Sequence, residues 1–150
     1  MSLSPPSAPG DMNATSDSCV VDTDVLSYIF RGDSRAHQFG SYLAGKQLLV
    51  SFMTVAELDR WILSRNWGQP RRERLEAFLQ QFLLVLPDRE MCRTWAEVEY
   101  QARRNGRPIQ VADAWIAATA VSLRVPLVTH NRADYAGVSG LVLAPDIPSQ

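Results

Sequence analysis

Four carboxylates stand in this chain where acids could do chemistry together: Asp22, Glu57, Asp113 and Asp134. Each lies where an apolar run gives way to a turn or a helix. Asp22 closes Cys19-Val20-Val21-Asp22, Glu57 follows Gln47-Leu48-Leu49-Val50-Ser51, and Asp134 follows Pro126-Leu127-Val128-Thr129-His130-Asn131. Ligand sites of open parallel sheets lie at the carboxyl ends of the strands, so a strand-then-acid pattern met three times points to one acidic pocket. Asp113 is placed differently. One helical turn onward lie Ile116, Ala117 and Ala120, and a carboxylate on so apolar a face needs a partner.

Such a pocket suits a hard divalent cation. Mg²⁺ and Mn²⁺ prefer oxygen ligands, and Mg²⁺ takes one or two carboxylates with water and substrate phosphate completing its octahedron. Converging negative charges repel one another unless a cation or a proton enters. A metal held there lowers the pKa of a bound water and neutralises the charge that develops on a phosphodiester.

Each acid also has a local explanation. Asp22 suits the N-cap of the helix that follows it. Thr54-Val55-Ala56-Glu57 fits a capping box, in which the glutamate bonds back to the start of its own helix. Asp134 fits a turn or an ion pair with Arg132, and Asp24 either joins the pocket or favours a helix dipole. His37 and His130 have no metal-type spacing and read as packing or surface residues, His130 beside the pocket. The chain shows neither a Gly-rich phosphate loop nor a Ser-His-Asp order, and Cys92 lies in an apolar helical stripe that suits an inert thiol.

The elements that must carry these residues follow from periodicity. A first strand ends at Asp22, and helical spacing runs from Thr23 to Phe30, up to Gly32. A short helix spans about Ser34 to Leu43. The second strand, around Leu48 to Ser51, leads into a helix with Val55, Leu58, Trp61 and Ile62 on its inner face, ended by Asn66, Gly68 and Pro70. Leu75, Phe78, Leu79 and Phe82 mark the next helix. Leu83 to Leu86 is a third strand, and Met91, Trp95, Val98 and Ala102 a further helical stripe. Gly106 and Pro108 precede an alanine-rich helix from about Val111 to Leu123, whose small residues would let it lie close to a sheet. Leu127 to Thr129 and Leu141 to Leu143 complete five strands. Strands alternating with helices imply βα units, a parallel sheet and right-handed crossovers.

The 150 residues suit one domain. Apolar residues make up 46% and charged residues 21%, and no run approaches the roughly 18 apolar residues of a membrane span, so no membrane role is expected. Residues 1–18, rich in Pro, Gly and Ser, read as a disordered tail without a secretory signal. The domain then spans 19–146, and 147–150 form a C-terminal tail. Two cysteines suggest buried thiols in a reducing cytoplasm. A net charge of −1 argues against bulk attraction to nucleic acid, yet only Lys46 of the 15 basic residues is lysine. The arginines gather as Arg60, Arg65, Arg71, Arg72 and Arg74, and again as Arg103, Arg104 and Arg107. Their guanidinium forks suit an RNA backbone around an acidic centre, or else are solvated helix faces.

Val21-Asp22-Thr23-Asp24-Val25-Leu26, Thr54-Val55-Ala56-Glu57-Leu58, Gly106-Arg107-Pro108-Ile109, Ala112-Asp113-Ala114-Trp115-Ile116-Ala117-Ala118-Thr119-Ala120 and Leu127-Val128-Thr129-His130-Asn131-Arg132-Ala133-Asp134-Tyr135 together resemble the PIN-domain ribonucleases, more narrowly the VapC-type toxins. The resemblance covers about Val20 to Leu143. It implies a three-layer α/β/α sandwich around a mainly parallel sheet of about five strands. It also implies hydrolysis of RNA, such as tRNA or ribosomal RNA, by metal-activated water. Asp22 and Asp113 are then expected as direct Mg²⁺ or Mn²⁺ ligands. Glu57 and Asp134 would bind a second ion or position water, and Thr23, Thr129 and Asn131 would be polar supports. The implied partners are a VapB-type antitoxin and a second copy in a homodimer, for which Trp61, Trp67, Phe78 and Phe82 offer apolar material if they are not core. Asp24 departs from the asparagine frequent at its position, and Gln110 from glycine.

Two rivals remain. Asp22-Thr23-Asp24 superficially fits haloacid-dehalogenase-type phosphatases, but Leu26 stands where that family needs threonine or valine, and its late lysine is missing. The other is a non-catalytic module that keeps the fold and binds RNA or protein without turnover.

Overall fold

The computed structural model describes residues 17–146. Its centre is a parallel sheet of five strands: β1 (Ser18–Val21), β2 (Gln47–Ser51), β3 (Leu83–Val85), β4 (Leu127–Val128) and β5 (Leu143–Ala144). Their spatial order is β3-β2-β1-β4-β5. The register sets Cys19 opposite Leu48, Val21 opposite Val128 and Val50 opposite Leu84. Six α-helices flank the sheet: α1 (Thr23–Arg31), α2 (His37–Leu43), α3 (Phe52–Ser64), α4 (Gln69–Leu79), α5 (Arg89–Arg104) and α6 (Val111–Leu123).

Side chains alternate across a strand, and β1 is buried throughout. Cys19 and Val21 therefore point to one side, where they pack with Val25, Leu26, Phe39, Leu58 and Leu75 of α1 to α4. Val20 points to the other, against Ala114, Ala117 and Ala120 of α6 and Val98 and Ala102 of α5. The result is the expected three-layer α/β/α sandwich. The alanines of α6 that face the sheet are fully buried and leave the helix pressed on the central strands, with its first turn at the carboxyl end of the sheet.

Several boundaries differ from expectation. Ser18 begins β1 and is buried, so the first strand starts one residue before the expected domain start; the rest of the proposed N-terminal tail, up to residue 16, and the C-terminal tail lie outside the described residues. The segment from Ser34 to Leu43 splits into a 3₁₀ turn (Ser34–Ala36) and α2. Helix α4 ends at Leu79, because the Gln81 and Phe82 N–H groups bond three residues back, to Phe78 and Leu79, and Phe82 falls in the turn before β3. As an edge strand, β3 leaves Leu83 and Leu84 about half exposed. β5 forms two residues later than expected. Cys92 is exposed, not buried, since it lies about 100° around α5 from Met91 of the inward stripe. Among the described residues no helix is long and apolar enough to cross a membrane.

Candidate active site

The chain leaving β1 and β4, the start of α3 directly after β2 and the first turn of α6 meet at the carboxyl edge of the sheet. There one cavity of about 170 Å³ is lined by Asp22, Thr23, Asp24, Glu57, Trp61, Asp113, Asn131 and Asp134. All four acids of the sequence pattern are thus brought together, and Asp24 joins them. Among the described residues no lysine or arginine lies within ion-pair distance of these five carboxylates.

Asp22 is 5% exposed and does two jobs. Its Oδ1 accepts from the Thr23 N–H at 2.7 Å and caps α1, while its Oδ2 accepts from the Thr129 and Tyr135 hydroxyls, each at 2.8 Å. The capping explanation and the pocket explanation therefore hold together. Burial, and then the neighbouring Asp24 charge, push its pKa from 3.8 up to about 7 against the pull of those three hydrogen bonds. Asp24 is raised as well, chiefly by burial, although its carboxylate accepts from the N–H groups of Val25, His130 and Asn131.

Glu57 is not part of a capping box. Ser51 caps α3 by accepting from the Met53 N–H, which puts Thr54 inside the helix and frees Glu57 for the cavity. Glu57 Oε1 instead accepts from the Thr23 hydroxyl at 2.8 Å, and Thr23 is itself bonded to the Thr54 hydroxyl at 2.9 Å. Thr23 thus joins the starts of α1 and α3 and aims the glutamate.

Asp113 occupies the first turn of α6, where the helix dipole favours an anion. Burial, then Asp134 and Glu57, raise its pKa to about 6. Asp134 sits on the 3₁₀ turn Arg132–Tyr135 and is exposed toward the cavity. It does not pair with Arg132, which instead donates to the Pro145 carbonyl and lies 3.9 Å from Asp146. Thr129 accepts from the Asn131 N–H while donating to Asp22, and the Asn131 backbone N–H also lies 3.2 Å from Asp24 Oδ2. His130 is exposed; its ring meets Tyr28 and Phe39 edge-on.

Two residues of the site were not assigned to it from sequence. Tyr135 is 2% exposed, and its hydroxyl also stands 3.4 Å from Asp113 Oδ1, linking two of the acids. Trp61 forms one wall of the cavity. Trp67, by contrast, is buried and stacks on Phe30, which also meets Phe78; Phe30 and Phe78 are half-buried against the core.

Does the pocket fit a divalent cation? Among the described residues no three acidic or imidazole groups close into a ready metal cage. Among the described residues five carboxylates with no lysine or arginine ion pair nevertheless surround one cavity, and burial pushes Asp22 up to about 7 and Asp113 to about 6. That donor set fits Mg²⁺, which keeps several waters and needs only one or two carboxylates. The arrangement offers no activated serine or cysteine nucleophile.

Comparison with known proteins agrees with this geometry. Residues 19–139 match the PIN domain family. Ribonuclease VapC1 of Haemophilus influenzae (strain R2866) is 28% identical over 125 residues, covering 81% of this chain and 92% of that protein. Ribonuclease VapC5 of Mycobacterium tuberculosis is 30% identical over 132 residues, covering 86% and 93%. Among solved structures, FitAcB of Neisseria gonorrhoeae superposes with a TM-score of 0.73 at 25% identity, over 84% of this chain and 96% of that one. VapBC2 of Rickettsia felis, bound to a DNA fragment from its promoter, gives a TM-score of 0.73 at 19% identity, over 85% and 97%. With the family match running from β1 past β4 and taking in every cavity-lining acid, the chain belongs to the PIN domain family.

Proposed function

We propose that this protein is a VapC-type endoribonuclease that hydrolyses RNA phosphodiester bonds with a divalent cation and serves as the toxin of a toxin-antitoxin pair. The observation that carries this is the convergence of Asp22, Glu57, Asp113 and Asp134, with Asp24, on one cavity where, among the described residues, no cationic side chain pairs with them. Asp22 and Asp113 would hold Mg²⁺ or Mn²⁺, with Glu57 and Asp134 binding a second ion or orienting water. The bound ion supplies Lewis-acid polarisation of a phosphoryl oxygen and a more acidic water.

The chain's own residues prepare that chemistry. Thr129 and Tyr135 hold one oxygen of Asp22, and the Thr23 N–H holds the other, so the carboxylate cannot rotate. The Thr23 hydroxyl holds Glu57. Such partners orient ligand carboxylates and tune their basicity. With their pKa values raised to about 7 and about 6, Asp22 and Asp113 would give up a proton on holding a cation near neutral pH.

Relatives described as ribonucleases support RNA as substrate, and relatives solved as VapBC complexes support a VapB-type antitoxin as partner. A homodimer, a cytoplasmic setting and a domain running from the β1 start at Ser18 to residue 146 complete the proposal. The experiment is direct: the purified chain, freed of any inhibitor, should cut cellular RNA when Mg²⁺ or Mn²⁺ is added and stop when it is chelated. Asp22→Asn should remain folded by circular dichroism and cut nothing. A wild-type protein inert toward RNA under these conditions would leave the non-catalytic binding module as the better account.

A further inference from the structure

The acidic cavity continues beyond its carboxylates on two sides. Asp113 and Asp134 also line an adjoining cavity of about 190 Å³ whose other walls include Arg107, Pro108 and Gln110. Through the first cavity the same two acids connect to Trp61. The two adjoining cavities thus share Asp113 and Asp134 and together form a cleft with Trp61 in one part and Arg107 in the other.

Its first end is built on α3. Glu57 and Trp61, four residues apart, share a helix face, and Arg65, the residue that ends the helix, follows four residues on. Trp61 is half-buried against the core and so is anchored. The Arg65 guanidinium sits 4.4 Å from the centre of its ring, in cation–π contact.

The second end is fixed by the backbone. The Arg107 N–H donates to the Ala102 carbonyl at 2.9 Å, and Asn105 Nδ2 donates to the Gly137 carbonyl at 2.9 Å. Gly137 lies so close that a Cβ there would stand 2.6 Å from the Arg107 carbonyl oxygen. The Arg107 main chain is thus set in place while its side chain is exposed. Among the described residues neither Arg65 nor Arg107 is in an ion pair, although Arg107 shares a cavity with two carboxylates.

We infer that an RNA strand lies along this cleft, with a base beside the scissile phosphate stacked on the Trp61–Arg65 pair and a phosphate beyond the acids held by Arg107. The inference rests on the ribonuclease reading of the acidic cavity. Five carboxylates repel a polyanion, so the strand needs cations flanking the centre, and guanidinium groups pair with phosphate in a fork. Aromatic faces hold bases with little sequence preference. Trp61 and Arg107 are positioning residues: they seat the strand so that its phosphate meets the acids.

The test is cleavage of a short, fluorescently labelled, mixed-sequence single-stranded RNA by the full chain over a range of salt concentrations. Binding of the same RNA to Asp22→Asn protein is followed in parallel by anisotropy. Trp61→Leu, which keeps an apolar side chain but removes the ring, should raise KM about tenfold, as loss of a base stack does, with kcat within about twofold. Trp61→Phe should stay near wild type. Arg107→Ala should raise KM and reduce the slope of log affinity against log salt by about 0.7, the value for one phosphate contact on a single strand; Arg107→Lys should keep that slope. KM and affinity within about twofold of wild type for both Trp61→Leu and Arg107→Ala would overturn the inference, as would a Trp61 effect confined to kcat. A failure of the ribonuclease reading shows separately, as wild-type protein that cuts nothing, while the binding measurements still report whether RNA uses the cleft.

Discussion

Removing the hydroxyl of Tyr135 should cost stability in a pH-dependent way. In Tyr135→Phe the ring keeps its packing, but Asp22 Oδ2 loses a donor at 2.8 Å inside the protein, leaving Thr129 and the Thr23 N–H to hold the carboxylate. A buried hydrogen bond to a neutral acceptor contributes about 1 kcal/mol, and one to a charged acceptor about 1.5–3 kcal/mol. Which applies depends on the proton of Asp22. Its pKa rises on folding from 3.8 to about 7, so the folded state holds this proton more tightly than the unfolded chain. The associated stability is fully present below pH 3.8 and is lost as pH climbs through about 7. A shift of that size corresponds to at most about 4 kcal/mol, shared with Asp24 because the two charges repel. Tyr135→Phe removes a donor that favours the charged form, raises the pKa further and steepens the loss. Urea unfolding without divalent metal should therefore show a cost of about 1 kcal/mol at pH 5 and about 2–3 kcal/mol at pH 8.5. In an Asp22→Asn background the difference between the two pH values should shrink to the smaller part that the longer contact of Tyr135 with Asp113 carries. A cost that does not change with pH, or that changes as much in the Asp22→Asn background as in the wild type, would refute the assignment of Tyr135 as the partner of the Asp22 charge.

Other expectations follow from neighbouring contacts. Mn²⁺ at about a hundredfold its Kd should stabilise the fold by about 2.7 kcal/mol, read as a rise in Tm, and Asp113→Asn should remove most of that rise; equal melting with and without the ion would count against a metal site. Gly137→Ala should destabilise by about 1–3 kcal/mol, because its Cβ would meet the Arg107 carbonyl oxygen at 2.6 Å and the Ala102 Cα at 3.0 Å, whereas exposed Gly140→Ala, with nothing within 4 Å, should change the urea midpoint little. Thr23→Val breaks the bonds to Glu57 and Thr54 and should lower kcat of RNA cleavage more than it raises KM, since Thr23 aims a carboxylate and contacts no base; unchanged kcat would remove Thr23 from the site.

Alternation and helical spacing in the chain placed most of the described strands and helices within a few residues, because burying an apolar face obliges a strand to repeat every two residues and a helix every 3.6; the exception is α4, which starts at Gln69, with Pro70 in its first turn and not at the end of α3. The same patterns put Asp22, Glu57 and Asp134 after strands. Where two local solutions compete, pattern alone misleads. Ser51 and Thr54 are both good helix caps, and the capping box at Thr54 loses because β2 runs into α3 without a loop and Ser51 takes the cap. Cys92 belongs to an apolar-looking segment, yet a single step around α5 turns it to solvent. The leucines of β3 look like core, but strand order leaves them at the sheet edge.

Residue types and spacing thus carry the layer architecture and the identity of the acids, since both depend on neighbours a few positions away along the chain. Tyr135 meets Asp22 across 113 positions, and Thr129 meets it across 107. Trp61 shares a cavity with Asp113, and Arg107 with Asp134, through crossovers that no local period encodes. Those partnerships exist because a parallel sheet gathers every strand's carboxyl end at one edge. There burial strips water from the acids, and the field each acid feels is set by groups brought together only when the sheet is complete.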